Sequence, residues 1–141
     1  ARLSCSASGL AWMMALSDDE ALGLVAKQGL GSPAEYGPNA PASMQAVLHM
    51  VHDARARGYS LTQETYTAGL NAMAAPVRLA GQPPLGIISI AGPTVRFTEE
   101  RMLALGPELV SFAAQLAAAS GPSPFFSQRA QPQDRQPIYA A

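Results

Sequence analysis

The first half of the chain alternates apolar stretches with polar boundaries, and this pattern predicts three helices. Residues 7–15 form an apolar stretch with the length of one short helix. Ser17 is followed at the third position by Glu20, a capping box that opens a second helix ending near Gln28. Ser43 caps a third helix, which we expect to lie on a sheet. The apolar positions of that helix recur at spacings of three and four: Met44, Val47, Leu48, Val51 and Ala54.

The pattern changes to that of strands between Gly58 and Pro93. Residues 59–67 are rich in β-forming types, residues 70–79 are apolar, and residues 85–91 form a nearly continuous apolar run. A glycine separates the first two stretches, and a Gly-Gln-Pro turn separates the last two. Short connections join antiparallel neighbours, so we predict a three-stranded antiparallel meander that forms one wall of a pocket.

A long helix follows these strands, with Thr98 as its N-cap and a kink expected at Gly106-Pro107. Its predicted buried stripe is Met102, Leu103, Leu105, Leu109, Phe112, Ala113, Leu116 and Ala117. The last 21 residues hold four Pro and four Gln, a composition that cannot bury enough apolar surface to fold. We therefore predict one α+β domain over residues 1–120 and a disordered tail over residues 121–141.

Composition adds constraints on the partners of this domain. Only 13% of the residues are charged, about half of the usual ~25%, while 48% are hydrophobic, which favours a partner that covers part of the surface. The net charge is −1 and the nine Lys and Arg are scattered along the chain. Because phosphate backbones require a basic stripe, we expect that this chain does not itself bind DNA.

The cysteine count and the apolar stretches bear on the compartment. A single cysteine, Cys5, excludes an internal disulfide framework and suits a reducing cytosol. The apolar stretch from Gly9 to Leu16 is too short to span a membrane, and serines interrupt the residues before it. We expect a cytoplasmic protein without a membrane partner.

Several segments occur in an order that matches a known family. A helix ending in Arg57-Gly58-Tyr59 is followed by Gly69, by Ala74-Ala75-Pro76-Val77 and by the segment Ile88–Pro93. The Ala7–Ala11 segment and the long helix after residues 96–98 fit the same order. Over residues 3–119 this succession resembles the effector-binding domain of the IclR family of bacterial transcription regulators.

The resemblance implies a GAF/profilin-like antiparallel sheet flanked by helices, a small organic acid as effector, and no cofactor. It also implies a homodimer or tetramer, in which DNA is contacted only through an N-terminal winged helix-turn-helix. That segment is absent from this chain, which begins at Ala1 without a methionine. We therefore expect a piece of a larger protein, lacking the leading strands of the family's domain.

The start of the first helix is a candidate anion site. The amides of Ser6 and Ala7 lie where the positive end of the helix dipole favours an anion. Ordinary N-capping by one of the three nearby serines explains the same segment without a ligand. The resemblance favours a pocket, because the family's effector amides lie in this segment.

The other effector positions implied by the resemblance are Thr62, Ala72, Ser89 and Ala91. Thr62 and Ser89 offer hydroxyl groups. Ala72 and Ala91 offer methyl groups, where relatives that bind very small polar acids often have a polar side chain. The pocket is therefore expected to be roomy and apolar, and we hypothesise an aromatic or branched organic acid. Leu10 in place of a lysine common to the family also bears on the effector's identity.

Other residues support alternative functions. Glu64 or Ser89 would be the reactive group of a small cytosolic enzyme, although neither has a paired acid or base in the sequence. His49 and His52 lie one helical turn apart, but a solvated polar face explains them without the further ligands that a metal requires.

Two further features concern surfaces. Trp12 with Met13 and Met14 is a candidate subunit contact, and a ligand-free oligomerisation module is the remaining alternative. The loop from Gly29 to Pro41 holds three prolines and three glycines, and we expect it to cover the pocket.

Overall fold

The computed structural model describes residues 2–120, in which four helices and three strands follow the predicted order. The helices are α1 (Ala7–Met14), α2 (Asp18–Gln28), α3 (Met44–Arg57) and α4 (Glu99–Ser120). The strands are β1 (Ser60–Gln63), β2 (Leu70–Val77) and β3 (Gly86–Pro93). The predicted tail at residues 121–141 lies outside the described residues.

The three strands form one antiparallel sheet in the order β1-β2-β3, which confirms the predicted meander. Thr62 of β1 lies opposite Ala72 of β2, and Ala72 lies opposite Ala91 of β3. Ser89 lies two residues from Ala91 on the same strand and therefore shares its face. The register thus brings four separated sequence positions together on one face of the sheet.

Strand β1 is shorter than the predicted stretch of residues 59–67. Glu64 adopts a positive φ of 52°, and its carboxylate accepts a hydrogen bond from the N–H of Gly69 at 2.9 Å. This contact closes a turn over residues 64–69 that connects β1 to β2. A local hydrogen bond has overridden the β propensity of Tyr66 and Thr67.

Helices cover the sheet on both faces, which explains why five of the eight residues of β2 are buried and the other three are half-buried. On one face, Ala74 packs with Ala7 and Ala11 of α1. On the other face, Met73 packs with α4. The cluster on the α4 side also contains Tyr59, Ala75, Val77, Phe97, Met102, Leu109, Ala113 and Ala117.

Helix α3 lies against α1 and meets the sheet mainly along β1, so the expectation that it lies on the sheet was only partly right. Its buried residues Val47, Val51 and Ala54 join the core formed with α1 and α2. Met13 and Met14 belong to the same core. The proposed subunit contact therefore reduces to Trp12, which is 37% exposed.

The predicted stripe on α4 was too wide. Leu103, Phe112 and Leu116 are exposed, whereas Gly106 is buried with the residues that contact the sheet. The cause is geometric, because a narrow sheet contacts only one strip along a helix. By length and composition α4 also resembles a membrane span: 28% of its apolar window is buried, and the residues buried there pack on the sheet.

Gly106 lies in α4 beneath the ring of Tyr59, and an added Cβ would overlap that ring. Gly23 in α2 has no atom near the position of an added Cβ. The two glycines form a matched pair, because both lie inside helices and only one is packed.

We expect Gly106→Ala to lower the free energy of unfolding by up to about 2 kcal/mol. Overpacking costs about 1–3 kcal/mol and exceeds the gain of about 1 kcal/mol in helix propensity. Gly23→Ala should instead stabilise the protein by up to about 1 kcal/mol. Urea unfolding of both variants measures this, and equal stabilisation of the two would contradict the packing argument.

Arg55 fastens the connection between α1 and α2. Its guanidinium donates to the carbonyls of Met14 at 3.2 Å and Leu16 at 2.7 Å, and to the carboxylate of Asp18 at 2.6 Å. His52 lies 2.9 Å from the second oxygen of Asp18. Hydrogen bonds from Arg55 first, and from His52 second, lower the pKa of Asp18 below its ordinary value.

Asp18→Asn should therefore lower the Tm at neutral pH. Because the pKa of Asp18 is lower in the folded state, the carboxylate stabilises the fold above about pH 4, and this contribution disappears as the pH falls through the folded pKa. Melting curves from neutral pH to about pH 3 should show the two proteins converging at the acid end. Asp19→Asn is the control, because Asp19 has no side-chain partner in the described region; a constant Tm difference for Asp18→Asn would contradict the ion pair.

Candidate functional site

A cavity of about 160 Å³ lies between the start of α1 and the sheet. It is lined by Ser6, Ala7, Ser8, Thr62, Tyr66, Leu70, Ala72, Ser89 and Ala91. All six residues singled out as effector positions line it, so the fold brings them together. Their role in binding an effector stays a prediction.

The N-terminus of α1 forms the polar end of the cavity. Ser6 is the N-cap, and its Oγ accepts a hydrogen bond from the N–H of Gly9 at 3.0 Å. The backbone N–H groups of Ser6, Ala7 and Ser8 have no hydrogen-bond partner among the described residues. The serine cap therefore leaves these three amides without a partner in the described region. At the start of a helix, such amides favour an anion.

The sheet supplies the opposite wall. Thr62 is 3% exposed, and its hydroxyl donates to the carbonyl of Ala72 at 3.3 Å. Ser89 and Ala91 are exposed on β3, and the hydroxyl of Ser89 has no partner in the described part of the chain. Leu70 adds apolar surface beside them. The wall is thus largely apolar, with one available hydroxyl.

Tyr66, in the turn between β1 and β2, lines the cavity and was missed by sequence reasoning. Its ring lies 5.7 Å from that of Tyr36, at an angle of 58°. The hydroxyl of Tyr36 accepts a hydrogen bond from Arg2 at 3.2 Å. This contact raises the pKa of Arg2, which also donates to the carbonyls of Gln28 and Gly29 at 2.7 and 3.0 Å.

The loop between α2 and α3 does not line the cavity, contrary to the expectation that it covers the pocket. Instead, its Gly37 and Asn39 donate backbone hydrogen bonds to the carbonyls of Thr65 and Glu64, both at 3.1 Å. The loop is therefore fastened to the turn that follows β1. Its Tyr36 contacts Tyr66, which lines the cavity.

The residues considered for a metal site or as reactive groups make structural contacts instead. His52 pairs with Asp18, and no group of three or more potential metal ligands occurs among residues 2–120. Glu64 is engaged in its turn, and Cys5 is fully buried beside Ser4. The nine lining residues include no carboxylate, imidazole or amine side chain. The cavity therefore offers binding groups rather than a paired acid and base.

Sequence comparison identifies relatives of this chain. The sequence matches the family described as bacterial transcriptional regulator IclR, C-terminal, over residues 1–118. It is 30% identical over 122 residues to the HTH-type transcriptional repressor AllR of Salmonella typhimurium strain LT2. That alignment covers 86% of this chain and 44% of the relative, so the chain spans less than half of the relative's length.

Solved structures share the fold. The C-terminal domain of the Escherichia coli transcriptional regulator KdgR has a TM-score of 0.73 and 25% identity, with coverage of 84% of this chain and 71% of that one. A double mutant of the PobR inducer-binding domain from Acinetobacter, in complex with 3-hydroxybenzoic acid, has a TM-score of 0.71 and 20% identity, with coverage of 82% and 65%. These likenesses confirm the predicted α+β fold. The family match over residues 1–118 shows that the chain belongs to the IclR family of bacterial transcriptional regulators, as a C-terminal domain of that family.

Proposed function

We propose that this domain binds a small organic acid in the cavity between α1 and the sheet. The proposal is carried by the amides of Ser6, Ala7 and Ser8, which have no partner among residues 2–120. They lie at the positive end of a helix dipole, in residues that line the cavity. A carboxylate satisfies such amides without a lysine or arginine. The hydroxyl of Ser89 is available for a second polar group of the ligand.

The size and lining of the cavity favour an aromatic or branched acid. Its volume of about 160 Å³ is below the ~300–1,000 Å³ of pockets for drug-sized ligands, so the ligand is small. Tyr66, Leu70, Ala72 and Ala91 present apolar surface to the body of the ligand. The relative solved with 3-hydroxybenzoic acid illustrates that this fold accommodates such a molecule.

In the longer protein, we propose that the acid acts by shifting a population of conformations. The residues that build the polar end of the cavity follow directly on residues 2–5, which Arg2 fastens to the end of α2. A ligand that binds one arrangement of this segment more tightly favours that arrangement. An N-terminal winged helix-turn-helix, in a cytoplasmic homodimer or tetramer, would report the change as altered affinity for DNA.

A panel of acids tests the binding proposal. Benzoate, 3-hydroxybenzoate or 3-methylbutanoate should raise the Tm of the domain, since a ligand at 100 times its Kd adds about 2.7 kcal/mol of stability. Ser89→Ala should weaken binding of the hydroxylated acid more than that of benzoate, because only the former has a second polar group. No shift with any acid would favour a ligand-free oligomerisation module, and saturation by a two- or three-carbon acid alone would refute an aromatic or branched effector.

Filling the cavity provides a steric test. Ala91→Leu should reduce the affinity for the best acid of the panel by at least about tenfold, because the larger side chain occupies ligand volume. The free energy of unfolding should change by less than about 0.5 kcal/mol, since Ala91 is exposed. Ala104→Leu, on the exposed side of α4, is the matched control; isothermal titration calorimetry showing equal affinities for both variants would place the ligand elsewhere.

A further inference from the structure

Two buried hydroxyl groups hold the segment that carries the free amides. The Oγ of Ser60 donates to the carbonyl of Ala7 at 2.6 Å, and the Oγ1 of Thr65 donates to the carbonyl of Cys5 at 2.7 Å. Ser60 is 0% exposed and Thr65 is 4% exposed. Neither residue lines the cavity. Both contacts join residues more than 50 positions apart in sequence, so they exist only in the folded domain.

The geometry of the peptide bond links these contacts to the cavity. A trans peptide group is planar, with its C=O and N–H on opposite sides. The carbonyl of Cys5 shares its peptide plane with the N–H of Ser6, and the carbonyl of Ala7 shares its plane with the N–H of Ser8. Each hydroxyl therefore fixes the orientation of one peptide plane. The N–H of that peptide points away from the hydroxyl and is not used by this contact. Those two N–H groups belong to residues that line the cavity and have no partner in the described region.

The same hydrogen bonds strengthen the N–H groups as donors. A carbonyl that accepts a hydrogen bond polarises its peptide group, and the effect is larger in a low-dielectric interior. The carbonyl of Cys5 has no other donor among the described residues, so Thr65 is its single source of polarisation. The Oγ of Ser60 also lies 3.3 Å from the carbonyl of Ala74. A hydroxyl has one proton, and the shorter distance of 2.6 Å assigns that proton mainly to the carbonyl of Ala7.

We infer that Ser60 and Thr65 are positioning residues for the carboxylate of the ligand. They do not touch the ligand; they orient and polarise the Ser6 and Ser8 amides that bind it. The inference rests on the proposed function. It adds two residues that determine the preference of the cavity for a carboxylate over a neutral group. If the hydroxyls served only to attach α1 to the sheet, their loss would lower stability without changing that preference.

The test compares a charged and a neutral probe of one shape, sodium benzoate and benzamide, by titration followed in ¹H–¹⁵N spectra of the whole chain. Thr65→Val removes the hydroxyl and keeps the shape, Thr65→Ser keeps the hydroxyl, and Ser60→Ala is the second deletion. Thr67→Val, at an exposed position outside the cavity lining, is the matched control.

Thr65→Val and Ser60→Ala should each weaken benzoate binding by about tenfold, the size expected when one hydrogen bond between an amide and the carboxylate is lost. The benzoate-induced shift of the Ser6 amide should shrink in Thr65→Val, and that of the Ser8 amide in Ser60→Ala. Benzamide affinity should change by less than about twofold, and Thr65→Ser and Thr67→Val should bind benzoate as the unchanged protein does.

The outcomes separate the two proposals. If the unchanged protein shows no benzoate-induced shift at any lining residue, the proposed binding of an aromatic acid fails and the inference fails with it. If it binds benzoate and the deletion variants bind equally well, the proposed function stands and the positioning role is wrong. Equal losses for benzoate and benzamide would also overturn the positioning role. Should Thr65→Val not fold, Ser60→Ala decides by the same criteria.

Discussion

The fold depends on how the short helix α1 is held between the sheet and α3. Its small residues Ala7 and Ala11 allow close approach to Ala74 of the central strand, while Leu10 and Met13 fill the core shared with α2 and α3. Burial of both sides fixes the helix over the sheet. The residues at the start of this helix face the sheet, and the two together line the cavity.

The candidate site combines local and tertiary contributions. The first N–H groups of a helix lack partners within the helix. In the part of the chain that the structure describes, the Ser6 hydroxyl pairs with one such group in α1, the N–H of Gly9. What distinguishes this end is its setting, with an apolar sheet face opposite and buried hydroxyls behind it. An unpaired donor near an apolar wall is costly when empty and favourable when a carboxylate fills it. This balance supports the proposal that the site receives an anion, although none of its lining residues has a charged side chain.

Predictions from the sequence were correct for features that a few consecutive residues determine. They failed for features that depend on contacts with other helices and strands. The Ser17 capping box and the Ser43 N-cap were predicted correctly, because each is complete within four residues. The α4 stripe was overestimated, because hydrophobicity cannot reveal how wide a surface the sheet presents. Tyr66 was missed because an aromatic residue in a polar turn has no periodic pattern, and its place depends on the Glu64 turn and the contact with Tyr36.

By itself, the sequence determined the order of helices and strands, the antiparallel meander, and the six positions that later proved to share a cavity. Periodicity, caps and turn residues determine each helix or strand through residues close in sequence. The resemblance to the family supplied the six positions. Only the tertiary structure decided that α3 packs on α1, that the loop after α2 stays outside the cavity, and that Ser60 and Thr65 hold the amide segment. Those outcomes depend on contacts between residues distant in sequence, which form only when the sheet register and the helix layers are in place.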